Sequence, residues 1–355
     1  ELQKDHFFVT GKAGTGKSPL LQLFRKTTGK KVVVLSPTGI SALNVQGQTI
    51  HSFFQFPPKL MHQGEIFINK RLVRLLSALD AIIIDEVSMV RADVLDAIDF
   101  SLKLHRKSVA PFGGVQMLFF GDLFQLPPVV SSQEEREYFR TAYPSPYFFD
   151  AHIFKSHVHL VMIELTRVYR QRERNFIQLL DAIRTMQFDY EELDSLNERY
   201  LPDEPIEEPY LTLCSTNAAA QQINKDRLAL LTTPSFYYSG EVKGDFNPKL
   251  FPTDYKLELR LDGQVMLIRN DPEKRFVNGS LARIVGLEEE KIIVRMTSDG
   301  GKSEVFELPK MTWEVNKYTL STDTDNPIKA EVIGSFIQYP VRLAWAVTIH
   351  KSQGK

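Results

Sequence analysis

Apolar residues along the first half of this chain gather in short runs that do not alternate with polar ones. Phe7-Phe8-Val9-Thr10, Lys31 to Ser36, Ala81-Ile82-Ile83-Ile84 before Asp85-Glu86, and Val115 to Asp122 are such runs. Runs rich in β-branched and aromatic residues with no polar face fit strands of a parallel sheet covered on both sides. Helical or irregular segments separate them, beginning with a helical pattern at Leu20, so the chain to about Leu165 is predicted to be one α/β domain. From Tyr169-Arg170-Gln171 the pattern changes. Tyr210 to Ser215 reads as a strand and Ala218 to Leu231 as a helix that Asn217 can cap. Gln264 to Ile268, Ser280 to Val285 and Lys291 to Met296 then form short runs divided by Asn278-Gly279 and Asp299-Gly300-Gly301. Turn signals at that spacing predict hairpins, and a small antiparallel β-barrel inserted in a second α/β domain accounts for them. Tyr339 to Gly354 returns to the larger domain.

Composition narrows this reading only a little. A length of 355 residues allows two or three domains, and 43% hydrophobic with 25% charged residues is ordinary for a globular protein. The net charge of −1 means that any nucleic acid must be bound by a local groove, since the chain is not globally basic. The single cysteine, Cys214, excludes an internal disulfide and suits a reducing compartment. No apolar run approaches the ~18 residues of a membrane span, and no signal peptide opens the chain. An intracellular protein is expected, with the bacterial cytoplasm and its nucleoid as the place. Lys70, Arg71 and Arg74 lie among leucines in an amphipathic insertion with a basic face, and Asp189 to Pro209 reads as a solvated acidic helix and connector.

Candidate chemistry sits where the predicted strands end. Gly11-Lys12-Ala13-Gly14-Thr15-Gly16-Lys17-Ser18 lies between a strand and a helix, the context that a phosphate-binding P-loop requires. Its glycines let backbone N–H groups turn toward phosphate oxygens at the positive end of the following helix. Lys17 then reaches the β- and γ-phosphates, and the Ser18 hydroxyl ligates Mg²⁺. Asp85, closing an apolar strand, can hold the hydrated Mg²⁺, and Glu86 beside it can orient and polarise water. Gln125, an uncharged amide past the fourth strand, can bond both a γ-phosphate and the attacking water; the alternative is a turn residue before Pro127-Pro128. Pro37-Thr38-Gly39 ends the second strand at the ligand-bearing edge of an open α/β sheet. The aromatic stretch Thr49 to Pro58 is either a packed hydrophobic loop or a surface on which bases stack. Among Arg167, Arg170, Arg172 and Arg174, one can serve as an arginine finger; the alternative is a basic solvated face.

With these residues in hand the chain resembles the superfamily-one DNA helicases, and among them it is most similar to the Pif-type (petite integration frequency) family. The likeness rests on the P-loop, on Ser36-Pro37-Thr38-Gly39 with Thr49-Ile50-His51-Ser52-Phe53, and on Asp85-Glu86-Val87-Ser88-Met89. It continues through Val90 to Arg106, Gly121-Asp122-Leu123-Phe124-Gln125-Leu126-Pro127-Pro128, Arg170-Gln171, Asn278-Gly279 and Thr348 to Gly354. The fold class it implies is α/β: two RecA-like P-loop domains, with a small subdomain inserted in the first and a small antiparallel β-barrel in the second. The expected boundaries are 1–165 for the first domain, with a wedge insertion at about 55–76. The second domain spans 166–253 and 316–355, interrupted by a barrel at 254–315. The resemblance implies ATP, with Mg²⁺, in the cleft between the two domains and 5′→3′ translocation on single-stranded DNA. It gives Lys17, Glu86, Gln125 and Arg170 to catalysis, the whole of Gly11 to Ser18 to the nucleotide, and Ser18 and Asp85 to the metal. Pro37, Thr38, Gly39, His51, Phe53, Thr216, Asn217, Asn278, His350 and Lys351 are expected to touch DNA. Partners are expected to be single-stranded DNA and single/double-strand junctions or G-quadruplex DNA, bound by a monomer or by a dimer formed on DNA.

The chain departs from the family pattern in three places. Pro19 follows Ser18 where a small hydroxyl residue is usual. The segment before the P-loop that reads adenine, and the last helicase motif after Lys355, lie outside this sequence. A RecD-type helicase subunit of a nuclease complex and a catalytically impaired DNA-binding fragment are the competing readings.

Overall fold

The four apolar runs of the first half lie side by side in one parallel sheet. Its strands are β1 (His6–Gly11), β2 (Val32–Ser36), β3 (Gln48–Thr49), β4 (Ala81–Ile84), β5 (Gln116–Phe120) and β6 (Leu160–Leu165), in the order β3-β2-β4-β5-β1-β6. Every pairing is parallel, so all six carboxyl ends meet at one edge. The hydrophobic pattern does not predict β3, which is only two residues long. Nor does it predict β6, an edge strand with Met162 and Ile163 exposed. Side chains alternate between two cores, as a strand's period of two demands. Phe8, Val33, Ile82 and Phe119 enter one; Val9, Val34, Ile83 and Phe120 enter the other.

This computed structural model describes residues 5–155, 158–169, 174–201, 210–297, 303–321 and 327–349. It divides into two units, 1–197 with 315–333, and 198–314 with 334–355. Helices of the first unit are α1 (Lys17–Thr27), α2 (Gly39–Asn44), α3 (Ile50–Phe54), α4 (Lys70–Ser77), α5 (Ala92–Arg106), α6 (Gln133–Ala142), α7 (Arg174–Thr185) and α8 (Tyr190–Asn197). The amphipathic insertion is a loop closed by α4. Leu72, Leu75 and Leu76 are buried, Lys70, Arg71 and Arg74 face water, and Phe67 at the loop's tip is 77% exposed.

Helix α5 organises the loops around it through three buried carboxylates spaced three residues apart, and so on one face. Asp93 accepts from the Met61 N–H (2.9 Å), Asp96 from His152 and Ile153 (both 3.0 Å), and Asp99 from Phe112 (2.7 Å). Each loop thereby finds an acceptor for a backbone group that burial would otherwise leave unpaired.

The last piece of the first unit arrives late in the sequence. Tyr318 is 4% exposed and packs edge-on against Phe53, with ring centroids 6.0 Å apart. Its hydroxyl accepts from the Val34 N–H of β2 at 3.0 Å, and its own N–H donates to Gln48 Oε1 at 3.1 Å. Residues 315–333 thus complete a core begun by residue 8.

In the second unit β7 (Thr212–Cys214) is followed by α9 (Asn217–Leu230). The cap of α9 is Thr216, whose Oγ1 accepts from Ala219 N–H at 3.2 Å; Asn217, expected as the cap, is the first helical residue. The cap must stand where the backbone is still extended, and Thr216 has φ −124° and ψ 150°. The β-rich part comprises β8 (Phe236–Ser239), β9 (Glu241–Gly244), β10 (Lys256–Leu259), β11 (Gln264–Leu267), β12 (Leu281–Glu288), β13 (Lys291–Thr297), β14 (Ser303–Glu307), the start of β15 (Met311–Leu320), the end of β16 (Ile328–Gln338), β17 (Val341–Leu343) and β18 (Ala346–Thr348), the rest of β15 and β16 belonging to the first unit. Strands β14-β13-β12-β11-β17 form one antiparallel sheet, while β18 pairs with β7 in parallel. Among the described residues no helix is long and apolar enough to cross a membrane.

Replacing Tyr318 by Phe removes the acceptor for a buried backbone N–H while keeping the ring. The expected loss is about 1–3 kcal/mol of stability, read by urea denaturation. An unchanged midpoint would show that the hydroxyl contributes nothing.

Candidate nucleotide and DNA site

Beyond β1 the backbone turns through Gly11, Gly14 and Gly16, all with positive φ. A Cβ at Gly11 would stand 2.5 Å from the Leu165 carbonyl oxygen and 2.8 Å from Thr15 Oγ1, so only glycine fits there. Thr15 closes the loop, its N–H and hydroxyl both donating to the Lys12 carbonyl (3.3 and 2.9 Å). The Lys17 ammonium donates to the carbonyls of Gly11 (2.6 Å) and Lys12 (3.0 Å). Burial pulls Lys17 below its ordinary pKa; Asp122, Glu86 and Asp85 work against that, and the nearby Arg184 cation adds to it. Pro19 is the third residue of α1, where a backbone N–H has no partner within the helix. The regular ladder resumes at once with Leu20 N–H to Gly16 O at 3.0 Å, so this departure leaves the helix start intact.

Asp85 and Glu86 follow β4 at the same edge. Burial pushes the Asp85 carboxyl up to about 6, against the Glu86 backbone hydrogen bond and the Lys17 charge. Glu86 is pushed up to about 7, first by burial and then by the Asp85 charge. Glu86 also sits at φ 53°, a conformation that costs a non-glycine residue about 1–3 kcal/mol and that marks functional positions. One strand further, Asp122 is 1% exposed. Its carboxylate takes Gln125 Nε2 at 3.0 Å and both guanidinium nitrogens of Arg184, at 2.6 and 2.5 Å. Burial works to raise Asp122, yet the hydrogen bonds from Arg184 and Gln125 outweigh it and hold the carboxyl below its ordinary value.

This arrangement offers a cation for phosphate oxygens, a carboxyl near neutrality that can orient and deprotonate water, and a tethered amide. A buried carboxyl whose proton affinity is raised also suits a divalent cation, and the Ser18 hydroxyl is a second oxygen at the start of α1. Among the described residues no group of three or more His, Cys, Asp or Glu could hold a metal. Mg²⁺ is usually bound through one or two carboxylates together with substrate phosphates, and Asp85 with the Ser18 hydroxyl can supply the protein's share of such a set.

Beside the P-loop edge lies a cleft of about 310 Å³ that brings Pro37, Thr38 and His51 together with Lys59, Met89 and Arg91. Arg91 is neutralised at its floor by Asp93 and Glu135. Burial, then the Arg91 charge, lowers the His51 pKa, so the ring is neutral at pH 7. Thr38 caps α2, which Gly39 opens. Phe53 differs from expectation: it is 3% exposed, wedged between Phe54 and Tyr318, because α3 turns that ring into the core. In the second unit Thr216 and Asn217 are exposed at the head of α9. Asn278 lies in the turn before β12, its N–H bonded to Asn270 Oδ1 at 2.8 Å. Arg170, His350 and Lys351 lie outside the described residues. Sequence reading missed the roles of Asp122, Asp181 and Arg184; the only available signal was an acid ending a strand at Gly121-Asp122.

A glycine-rich loop, a lysine and paired acids on adjoining ends of one parallel sheet define a P-loop nucleoside triphosphatase domain. A family model described as PIF1-like helicase matches residues 1–192. The ATP-dependent DNA helicase Pif1 of Campylobacter jejuni is 30% identical, over 99% of this chain and 81% of that protein. The mouse ATP-dependent DNA helicase PIF1 is 31% identical, over 99% of this chain and 52% of that protein. Among solved structures, Bacteroides sp Pif1 in complex with ADP-AlF4 matches with a TM-score of 0.90 and 40% identity, over 99% of this chain and 80% of that one. Bacteroides Pif1 bound to ssDNA matches with a TM-score of 0.62 and 40% identity, over 99% and 81%. The chain belongs to the PIF1-like helicase family. Its fold is the family's pair of RecA-like domains.

The raised carboxyls make a stability prediction. Both groups bind protons more tightly folded than unfolded, so they withhold little stability below about pH 4 and progressively more as pH rises through 6 and 7. Glu86→Gln should therefore stabilise the metal-free, nucleotide-free protein. The gain at pH 8 should exceed that at pH 5 by on the order of 1–2 kcal/mol in denaturant titrations. Equal gains at both pH values would contradict this account.

Proposed function

We propose that this chain is an ATP-dependent DNA helicase that moves 5′→3′ along single-stranded DNA. The observation that carries the reading is one sheet edge that holds Lys17, Asp85, Glu86 and the Asp122-tethered Gln125 beside a cleft containing Pro37, Thr38 and His51. Backbone N–H groups of Gly11 to Ser18 cradle the phosphates, and Lys17 neutralises the β- and γ-oxygens. Ser18 and Asp85 hold Mg²⁺, which when bound supplies charge neutralisation at the phosphates. Glu86, poised near neutrality, takes a proton from the attacking water. Gln125 faces the γ-phosphate, and Arg170 completes the charge stabilisation.

DNA lies over the Pro37, Thr38, Gly39 and His51 face. The neutral His51 ring offers a stacking surface, and the exposed Lys59 lies near the backbone path. Thr216, Asn217, His350 and Lys351 of the second RecA-like domain, and Asn278 of the inserted barrel, also contact DNA. Backbone and stacking contacts of this kind predict little sequence preference. Bacteroides Pif1 is solved bound to ssDNA, and a further structure describes unwinding at forked dsDNA by two coordinating Pif1 helicases. By extension this chain binds single strands and forks, with pairing of two copies at a fork and action on G-quadruplex DNA as parts of the same proposal. A bacterial cytoplasm is the compartment we assign it.

Hydrolysis stimulated by single-stranded DNA tests the reading. Lys17→Ala and Glu86→Gln should each lower it at least about a hundredfold, with Glu86→Gln still binding nucleotide. A wild-type chain that DNA does not stimulate would reject the motor. On partial duplexes, unwinding should need a 5′ overhang; unwinding only from 3′ overhangs would refute the polarity. His51→Ala should weaken single-strand binding about five- to fiftyfold in anisotropy titrations, if its ring carries one stacked base.

A further inference from the structure

The segment that follows β6 is fastened at two points to the phosphate-binding loop and at a third to the residue that follows β5 at Gly121-Asp122. The Tyr169 N–H donates to the Gly14 carbonyl at 2.9 Å. Asp181 pairs with Lys12. Arg184 grips Asp122 with both terminal nitrogens. Asp181 and Arg184 stand three residues apart and so leave α7 from one face. Arg184 also lies over the ring of Phe124, 4.4 Å from its centroid, although that ring is 62% exposed.

The geometry at Asp122 makes this more than a staple. Oδ1 accepts from Arg184 and from the Phe124 N–H (3.2 Å), and Oδ2 accepts from Arg184 and from Gln125 Nε2. With its nitrogen committed to Asp122, the Gln125 amide is held in one orientation. A planar fork is the side chain that can hold a carboxylate at both oxygens, which a lysine cannot do. Both terminal nitrogens point at Asp122, so the polar side-chain partner that the structure gives Arg184 is that carboxylate, through which it reaches Gln125.

We propose that Arg184 is a positioning residue for ATP hydrolysis. It fixes Asp122, Asp122 fixes Gln125, and Asp181 on the same face of α7 fixes Lys12, so that one helix sets both the phosphate-binding loop and the amide. The inference rests on the reading of Gln125 as the group that faces the γ-phosphate.

The test is a mutant cycle in the full chain, measuring hydrolysis at saturating single-stranded DNA and the binding of a fluorescent ATP analogue. Arg184→Ala should lower kcat about ten- to hundredfold with analogue affinity changed less than about threefold, the pattern of a misplaced group. Arg184→Lys should recover little of the loss. Arg184→Ala combined with Gln125→Ala should be no slower than Gln125→Ala alone, since the two act in series. Thermal melts run alongside; if Arg184→Ala does not fold, Arg184→Lys and its double variant supply the same cycle. Full activity of the Arg184 variants beside an impaired Gln125→Ala overturns the proposal alone, as does multiplication of the two losses. A fully active Gln125→Ala overturns the reading of Gln125 and the proposal with it.

Discussion

A lysine ammonium held by backbone carbonyls at one edge of a parallel sheet, with three carboxylates around it, is the constraint on which the first unit turns. None of these groups is comfortable when buried, and each is tolerated only because the others are there. The sheet makes the meeting possible. Its strands are all parallel, so the ends of β1, β4 and β5 share one edge, and residues far apart in sequence arrive within one charged cluster. Asp122 is fully compensated by Arg184 and Gln125 and stays ionised, while Asp85 and Glu86 are not and hold protons more tightly. Two carboxyls near neutrality next to one firmly ionised is an asymmetry that proton-transfer chemistry can use.

The same economy of acceptors shapes the flank of the sheet. Helix α5 spends Asp93, Asp96 and Asp99 on backbone N–H groups of the loops around it. One of these also neutralises Arg91, so the floor of the cleft beside the P-loop presents a lining of mixed character without an uncompensated guanidinium. In the function proposed above, a surface that grips a strand lightly and releases it is better served by stacking and a few backbone contacts than by a strong fixed charge.

Much of this was legible in the sequence, for identifiable reasons. Strands β1, β2, β4 and β5 are buried on both faces, which writes itself as unbroken apolar runs. The P-loop is legible because its glycines answer a steric demand, as the carbonyl of Leu165 beside Gly11 makes plain. What escaped were features set by partners distant in the chain. The ring of Phe53 is as apolar as a stacking platform would be, and only the docking of Tyr318, 265 positions later, decides that it is core. Asp181 and Arg184 look like ordinary surface charges of an amphipathic helix until α7 is seen against the P-loop; their partners lie 169 and 62 positions away. Strand β6 hid because an exposed edge has no reason to be uniformly apolar.

The docking of residues 315–333 has a consequence for how the protein is made. A ribosome delivers residues 1–197 first, and then the whole of 198–314, before Tyr318 emerges. During that interval the nascent first unit carries an uncovered aromatic edge at Phe53 and an unpaired N–H at Val34, features that invite association with other chains. Synthesis therefore cannot finish one unit before it starts the next. It must hold the first open until a returning arm closes it, and the protein cannot be dissected into two autonomous halves by a single cut.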